Sequence, residues 1–399
     1  MKLLVVLSRF PYPTLKGDKL RAFFQLRELA QDHEVHVFCT SYEPVTEADR
    51  AAVSFLASVH VERLGFRNKL RNLLRSTFRN EAWQVGYFRS RQLKATIAHR
   101  LKTEAFDAVY VQLIRATENV PVIDGPVYVL DYMDALAAGL EKRAQHSSWA
   151  FRLLERREAR QVKRYERHIA AHFHRGVLIT EADRAYFGAS FPLPLDVVPN
   201  GIEETFFRGP KDNFPPQTRP PSVVFTGNMS YAPNAQAARR LVEQVMPRVW
   251  RVVPDVQVYL VGTDPLPEVR ALASEGVHVT GWVEDVRPFL AQSWVFCAPM
   301  VSGAGLQNKL LEAMAMRVPC VTSEMANRAL GAPNGEAVLA SDSDEQLAAH
   351  VLALLRQPTQ RQALAEAGEA FVREHFSWQH ATVQLTAVFA RAKESAIQR

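Results

Sequence analysis

The chain alternates from end to end between short, continuous apolar runs and longer segments whose apolar residues recur at helical spacing. In the first half the runs are residues 2–8, 34–40, 60–64, 108–112, 127–132 and 176–180. In the second half they are 222–227, 256–262, 277–282, 294–301, 318–323 and 337–340. A strand that is apolar at consecutive positions, rather than at every other one, is buried on both faces. That is the signature of a parallel sheet covered by helices on either side. Strands and helices in strict alternation predict doubly wound sheets. The helix predicted after Gly17 buries Ala22, Phe23, Leu26, Leu29 and Ala30, leaving Asp18 and Arg21 near its free end. A long helix over residues 149–174 carries Arg152, Glu155, Arg156, Arg157, Glu158, Arg160, Lys163, Arg164, Glu166 and Arg167, and is expected to brace the fold with a mostly solvated charged side.

At 399 residues the chain exceeds what one hydrophobic core supports, roughly 250–300 residues, so two domains are expected. The segment 206–221 holds Pro210, Pro215, Pro216, Pro220 and Pro221, which suit neither a helix interior nor a central strand. It is read as the linker between a first domain, 1–205, and a second, 206–379, after which the pattern of strand, glycine turn and helix begins again. The terminal helix, about 380–399, is expected to pack back on the first domain. The fold class is α/β, with two Rossmann-like domains of parallel sheet whose strand ends face a central cleft.

Composition changes this picture in three places. The opening residues 1–7 are too short for a secretory leader, and no apolar stretch approaches the length of a membrane span. Cys39, Cys297 and Cys320 each sit inside an apolar run, as buried thiols of a reducing, cytoplasmic compartment do. Net charge is only +6, but it is concentrated: between Arg63 and Lys102 lie Arg67, Lys69, Arg71, Arg75, Arg79, Arg89, Arg91, Lys94 and Arg100 against the single acid Glu81. Phe66, Leu70, Leu73, Leu74, Phe78, Trp83, Tyr87 and Phe88 are interleaved with them. This mixture suits an anionic membrane surface at the inner face of the cell membrane, a groove for an anionic acceptor, or a solvated basic face over a packing stripe. No nucleic-acid partner is expected, because no binding motif accompanies the charge.

The candidate chemistry lies in residues 299–323. An apolar strand ends at Val301, Ser302 is placed to cap a following helix, and Gly303 and Gly305, with Ala304 between them, let a ligand approach the backbone. That helix buries Leu306, Leu310, Ala313 and Met314, while Lys309 and Glu312 project together from another face. A helix start attracts phosphate, Lys309 adds a full charge, and a carboxylate such as Glu312 accepts ribose hydroxyls. His168, His172 and His174 lack acidic partners at ligand spacing, so no metal site is read.

The run Lys309-Leu-Leu-Glu312-Ala-Met-Ala315-Met-Arg-Val-Pro319-Cys-Val321 resembles the donor motif of glycosyltransferase family four, a retaining family with the GT-B fold. Asp196-Val-Val-Pro-Asn-Gly-Ile202 is similar to the turn that closes that family's first domain. Phe225-Thr-Gly227-Asn228-Met-Ser-Tyr-Ala-Pro-Asn234 is similar to the loop opening the second. Gly281-Trp-Val283-Glu-Asp285 is similar to the loop whose backbone reads the base, and Pro11-Tyr-Pro-Thr-Leu-Lys-Gly17-Asp18-Lys-Leu-Arg21 to the glycine loop facing the sugars. The nearest likeness is to transferases of exopolysaccharide assembly.

The resemblance implies transfer of a sugar, with retention, from a nucleotide-sugar donor to a glycan or lipid-linked acceptor. Lys309, Glu312 and Asp131 are then the catalytic set. Gly227, Asn228, Val283, Gly303, Ala304, Gly305 and Leu306 join Lys309 and Glu312 at the donor, and Gly17, Asp18, Arg21 and Asp134 lie on the acceptor side. No cofactor is implied, and no Asp-x-Asp metal motif is present. Ala304 stands where many members have a first glutamate, and Asn228 and Asn234 where many have Arg and Lys, so phosphate neutralisation falls to Lys309, the helix start and Arg21. Two other readings remain: a nucleotide-sugar epimerase on the same fold, and a degenerate transferase acting as a membrane-associated assembly partner.

Overall fold

Every apolar run becomes a parallel strand. The computed structural model describes residues 1–14, 16–146, 149–208, 220–302 and 306–397. They divide into two units: Met1–Gly201 with Trp378–Arg399, and Ile202–Ser377.

The first unit is built on β1 (Lys2–Leu7), β2 (Glu34–Ser41), β3 (Ser58–Arg63), β4 (Ala108–Gln112), β5 (Val127–Met133), β6 (Arg175–Leu178) and β7 (Leu195–Val197). Their order is β3-β2-β1-β4-β5-β6-β7. The predicted set lacked β7, whose three residues between Pro194 and Pro199 are too few to show a run. Leu3, Val5 and Leu7 face one core with Phe24, Leu26 and Leu29 and with Leu385, Val388 and Phe389 of the helix Trp378–Ile397. Leu4 and Val6 face the other, with Leu93, Ile97, Leu140 and Val162. Burial on both faces is thus the physical origin of the continuous apolar runs.

The helix Gly17–Asp32 buries Ala22, Leu26 and Leu29 as expected, but its inward face is wider than the pattern showed. Arg21, Phe24 and Gln25 are buried, while Phe23 and Ala30 are partly exposed. Phe24 is covered by a residue remote in sequence: Trp378 stacks on it with ring centroids 5.4 Å apart and planes 13° from parallel. Gly201 lies against the start of the same terminal helix, where an added Cβ would come within 2.3 Å of the Trp378 backbone nitrogen.

The helix Trp149–Ala170 is also less solvated than its charges suggested. Glu158 and Glu166 are buried. Glu158 accepts from the Trp83 and Gln84 amides at 3.1 and 2.9 Å, and Glu166 from the Ala137 amide at 3.3 Å. Both carboxylates therefore serve the starts of neighbouring helices, where peptide dipoles favour negative charge. Burial nonetheless pushes the Glu166 carboxyl up to about 8.

The second unit carries β8 (Ser222–Thr226), β9 (Gln257–Val261), β10 (Val277–Gly281), β11 (Val295–Ala298), β12 (Cys320–Thr322) and β13 (Leu339–Ala340), ordered β10-β9-β8-β11-β12-β13. Its core gathers Val223, Phe225, Phe296, Leu310, Leu311 and Met314. All three cysteines are free and buried.

Candidate functional site

In the second sheet the strand order reverses between β8 and β11, so the loops leaving these neighbours diverge and open a crevice at their C-terminal ends. A cavity of about 360 Å³ occupies it. Thr226, Gly227 and Asn228 come from the end of β8, and Val261, Gly262 and Thr263 from the end of β9. Val283 and Val286 follow β10, while Leu306, Gln307, Asn308, Lys309 and Glu312 lead into the helix Asn308–Ala315. Gly262 allows the first two loops to touch: at φ +151°, an added Cβ would fall 1.7 Å from the Gly227 carbonyl oxygen.

Several of the polar groups in this cavity are tied to one another. Asn234 donates to the Asn228 carbonyl at 2.8 Å, and its side-chain oxygen accepts from Lys309 Nζ at 2.5 Å. The same ammonium lies 5.1 Å from the centre of the Phe225 ring. Lys309 is the only cation among the described residues lining the cavity. The side chain of the N-cap residue Gln307 makes no capping hydrogen bond to the helix Asn308–Ala315, whose start carries the positive end of its dipole. Burial lowers the Lys309 ammonium to about 8, against the opposing pull of Glu312. Burial also raises the Glu312 carboxyl to about 7, which Lys309 only partly offsets.

The signs of these shifts follow from linkage. Glu312, raised from 4.5 to about 7, stabilises the empty protein below its unfolded value and loses that contribution as pH rises through 7. Lys309, lowered from 10.5 to about 8, makes stability rise with pH between those values. An anion seated beside Lys309 raises its proton affinity. Binding of a nucleoside diphosphate near pH 8 is therefore expected to take up protons, as calorimetry in two buffers of different ionisation enthalpy would read. Lys309→Met removes most of that uptake; an unchanged uptake would place the anion elsewhere.

Of the residues expected at the donor, the structure brings Gly227, Asn228, Val283, Leu306, Lys309 and Glu312 around this one cavity. Gly303, Ala304 and Gly305 lie outside the described residues. Ser302 is not the helix cap: its hydroxyl donates to Gln236 Oε1 at 2.8 Å, and the helix begins only at Asn308. Sequence reasoning missed Val261, Gly262 and Thr263 as lining residues. Their signal was a glycine directly after an apolar run, the pattern also seen at Gly227.

The residues expected on the acceptor side, with Asp131, belong to the first unit and separate into two groups. Gly17 and Asp134 are exposed, and Asp18 pairs with Arg9 at 2.6 Å. Arg21 and Asp131 are each 0% exposed and pair with one another at 2.7 Å. Arg21 also donates to Asn200 Oδ1 at 2.7 Å and the Val198 carbonyl at 3.0 Å. Asp131 accepts in addition from the Tyr110 hydroxyl at 2.6 Å and the Met133 amide at 2.8 Å. Both are consumed by an internal tie between the first helix, β4, β5 and the segment after β7. In this arrangement the polar atoms of Arg21 and Asp131 are engaged by partners within the first unit.

Residues 220–357 match the family model described as Glycosyl transferases group 1, a span containing every described residue that lines the cavity. A phosphatidyl-myo-inositol mannosyltransferase of Mycobacterium leprae (strain TN) is 31% identical over 152 residues, spanning 36% of this chain and 40% of that relative. Among solved structures, a glycosyltransferase of Rickettsia africae aligns over 98% of both chains with a TM-score of 0.65 and 10% identity. Sucrose-phosphate synthase of Thermosynechococcus elongatus aligns over 99% of this chain and 100% of its own, with a TM-score of 0.63 and 14% identity. Anabaena HepE in complex with UDP and glucose aligns over 97% and 99%, with a TM-score of 0.63 and 12% identity. These likenesses, with the two parallel sheets, make the fold GT-B.

Proposed function

We propose that the protein is a glycosyltransferase that moves a sugar from a nucleotide-sugar donor onto a glycan or lipid-linked acceptor, on the cytoplasmic side, in the assembly of an exported or cell-surface polysaccharide. The observation that carries this reading is the cavity at the β8/β11 switch point, where Lys309 and Glu312 meet the start of the helix Asn308–Ala315. A nucleoside diphosphate asks for those three elements: a cation and free amides for the diphosphate, and a carboxylate for the ribose hydroxyls. The family match over the same residues and a fold neighbour solved with UDP and glucose support it.

In this reading Lys309 and the helix start stabilise charge as it develops on the departing diphosphate. The leaving group is already a stabilised anion, so orientation and electrostatics supply most of the acceleration. Neutralisation rests on Lys309 without a metal ion, and chelators leave the rate unchanged. Retention, with the acceptor hydroxyl attacking from the side the diphosphate leaves, rests on the motif resemblance alone.

The test is product analysis with labelled nucleotide sugars, with and without a membrane extract as acceptor. Label passing into the extract with stoichiometric release of nucleoside diphosphate supports transfer. Interconverted nucleotide sugars without acceptor would favour an epimerase. Donor binding with neither product would favour the degenerate assembly partner, a reading to which Ala304, Asn228 and Asn234 lend weight.

A further inference from the structure

The helix Phe66–Phe78 is mounted with its apolar side outward. Its buried residues are polar: Asn72, whose amide donates to the Arg89 carbonyl at 2.8 Å, and Ser76. Phe66, Leu70, Leu74 and Phe78, one every four residues, form a stripe along the opposite side. Phe66 is 76% exposed and Phe78 87%, with Leu70 and Leu74 each at 49%. Scattered apolar side chains on a surface are ordinary, but a continuous stripe that a helix turns away from its own core marks something that covers it.

What covers it is indicated by the charge around it. Arg67, Arg71 and Arg79 flank the stripe and are exposed. Glu81, the only acid between residues 63 and 102, is tied to Arg89 at 2.9 Å and neutralises none of them. A second copy of this chain would bring the same arginines face to face, which like-charge repulsion opposes. A bilayer with anionic headgroups satisfies both halves of the surface, taking the aromatic and leucine side chains among its acyl chains and the guanidinium groups among its phosphates. A second helix also exposes apolar side chains. Trp149, Phe151, Leu153 and Leu154 are exposed on the first turns of Trp149–Ala170. That helix meets the first region through Gln161 on Asn80 at 3.0 Å and the Arg157 guanidinium 4.5 Å over the Trp83 ring.

We propose that the stripe Phe66–Leu70–Leu74–Phe78, with its flanking arginines, docks the protein on an anionic lipid surface. The inference is independent of the sugar-transfer reading, because its readout needs no turnover. The experiment is flotation of the full chain with vesicles of phosphatidylcholine alone or with added phosphatidylglycerol, at low and high salt.

The protein is expected to float with the phosphatidylglycerol vesicles only, and less so as salt rises. The triple variant Leu70→Ser/Leu74→Ser/Phe78→Ser should stay with the soluble fraction while melting like the parent, since these side chains pack little against the fold. Arg67→Gln and Arg71→Gln should each weaken binding about fivefold. Failure of the parent to float, equal flotation with both vesicle types, or full flotation of the triple variant would overturn the proposal. So would a lipid-free dimer, seen by sedimentation, that the triple variant abolishes, for then a second copy covers the face.

Discussion

Lys309→Ala is expected to lower kcat at saturating donor by about 10²–10³-fold, the loss seen when one preorganised donor to a developing anion is removed. The expectation is large because nothing nearby substitutes: Lys309 is the only cation among the described residues lining the cavity. Its loss leaves the diphosphate to helix amides alone. The same change should not weaken the fold. Burial already disfavours this ammonium, so its removal leaves the melting temperature of the empty protein unchanged or slightly higher. Falling activity with undiminished stability separates a catalytic lysine from a structural one. Full turnover at saturating donor would refute the assignment.

Asp131→Ala is expected to do the reverse, acting through stability. It strands the Arg21 guanidinium without its charge partner inside the first unit, where both groups are wholly enclosed. Breaking one side of such a pair costs about 3–5 kcal/mol, a fall in melting temperature of about 10 °C for a domain of this size. Arg21→Met/Asp131→Leu, which removes both charges, should recover a good part of that loss, because the desolvation of two ions disappears with them. Thermal melts of the three proteins decide the matter. If Asp131→Ala melts with the parent yet loses turnover, Asp131 acts on the sugar after all.

The two residues illustrate where sequence reasoning reaches and where it stops. Lys309 and Glu312 were legible because one short segment carries strand end, glycines, cation and carboxylate, so local spacing fixes their common face. Asp131 was legible only as a carboxylate near a strand end. Its partner Arg21 lies 110 residues away. Arg21 is enclosed with partners drawn from β5 and from the segment after β7, at Asp131, Val198 and Asn200. No local pattern carries that information.

The strands were legible for a general reason, since burial on both faces leaves apolar residues at every position. β7 escaped because three residues cannot display a pattern. The helix Phe66–Phe78 is the reverse case. Its amphipathic spacing was plain, but spacing alone does not say which side faces the core. Only the buried Asn72 and Ser76 reveal that the apolar side faces out.

On the proposed function, the β8/β11 cavity holds the nucleoside diphosphate of a sugar donor. The most direct test is a thermal-shift series with UDP, GDP, ADP, CMP and dTDP, without added metal, on the parent and on Glu312→Ala. One nucleotide is predicted to stabilise the parent by about 2–3 kcal/mol at roughly hundredfold excess over its dissociation constant, and to lose that effect in the variant. Stabilisation by none of them, or stabilisation that Glu312→Ala leaves intact, would mean that this cavity is not a nucleotide site.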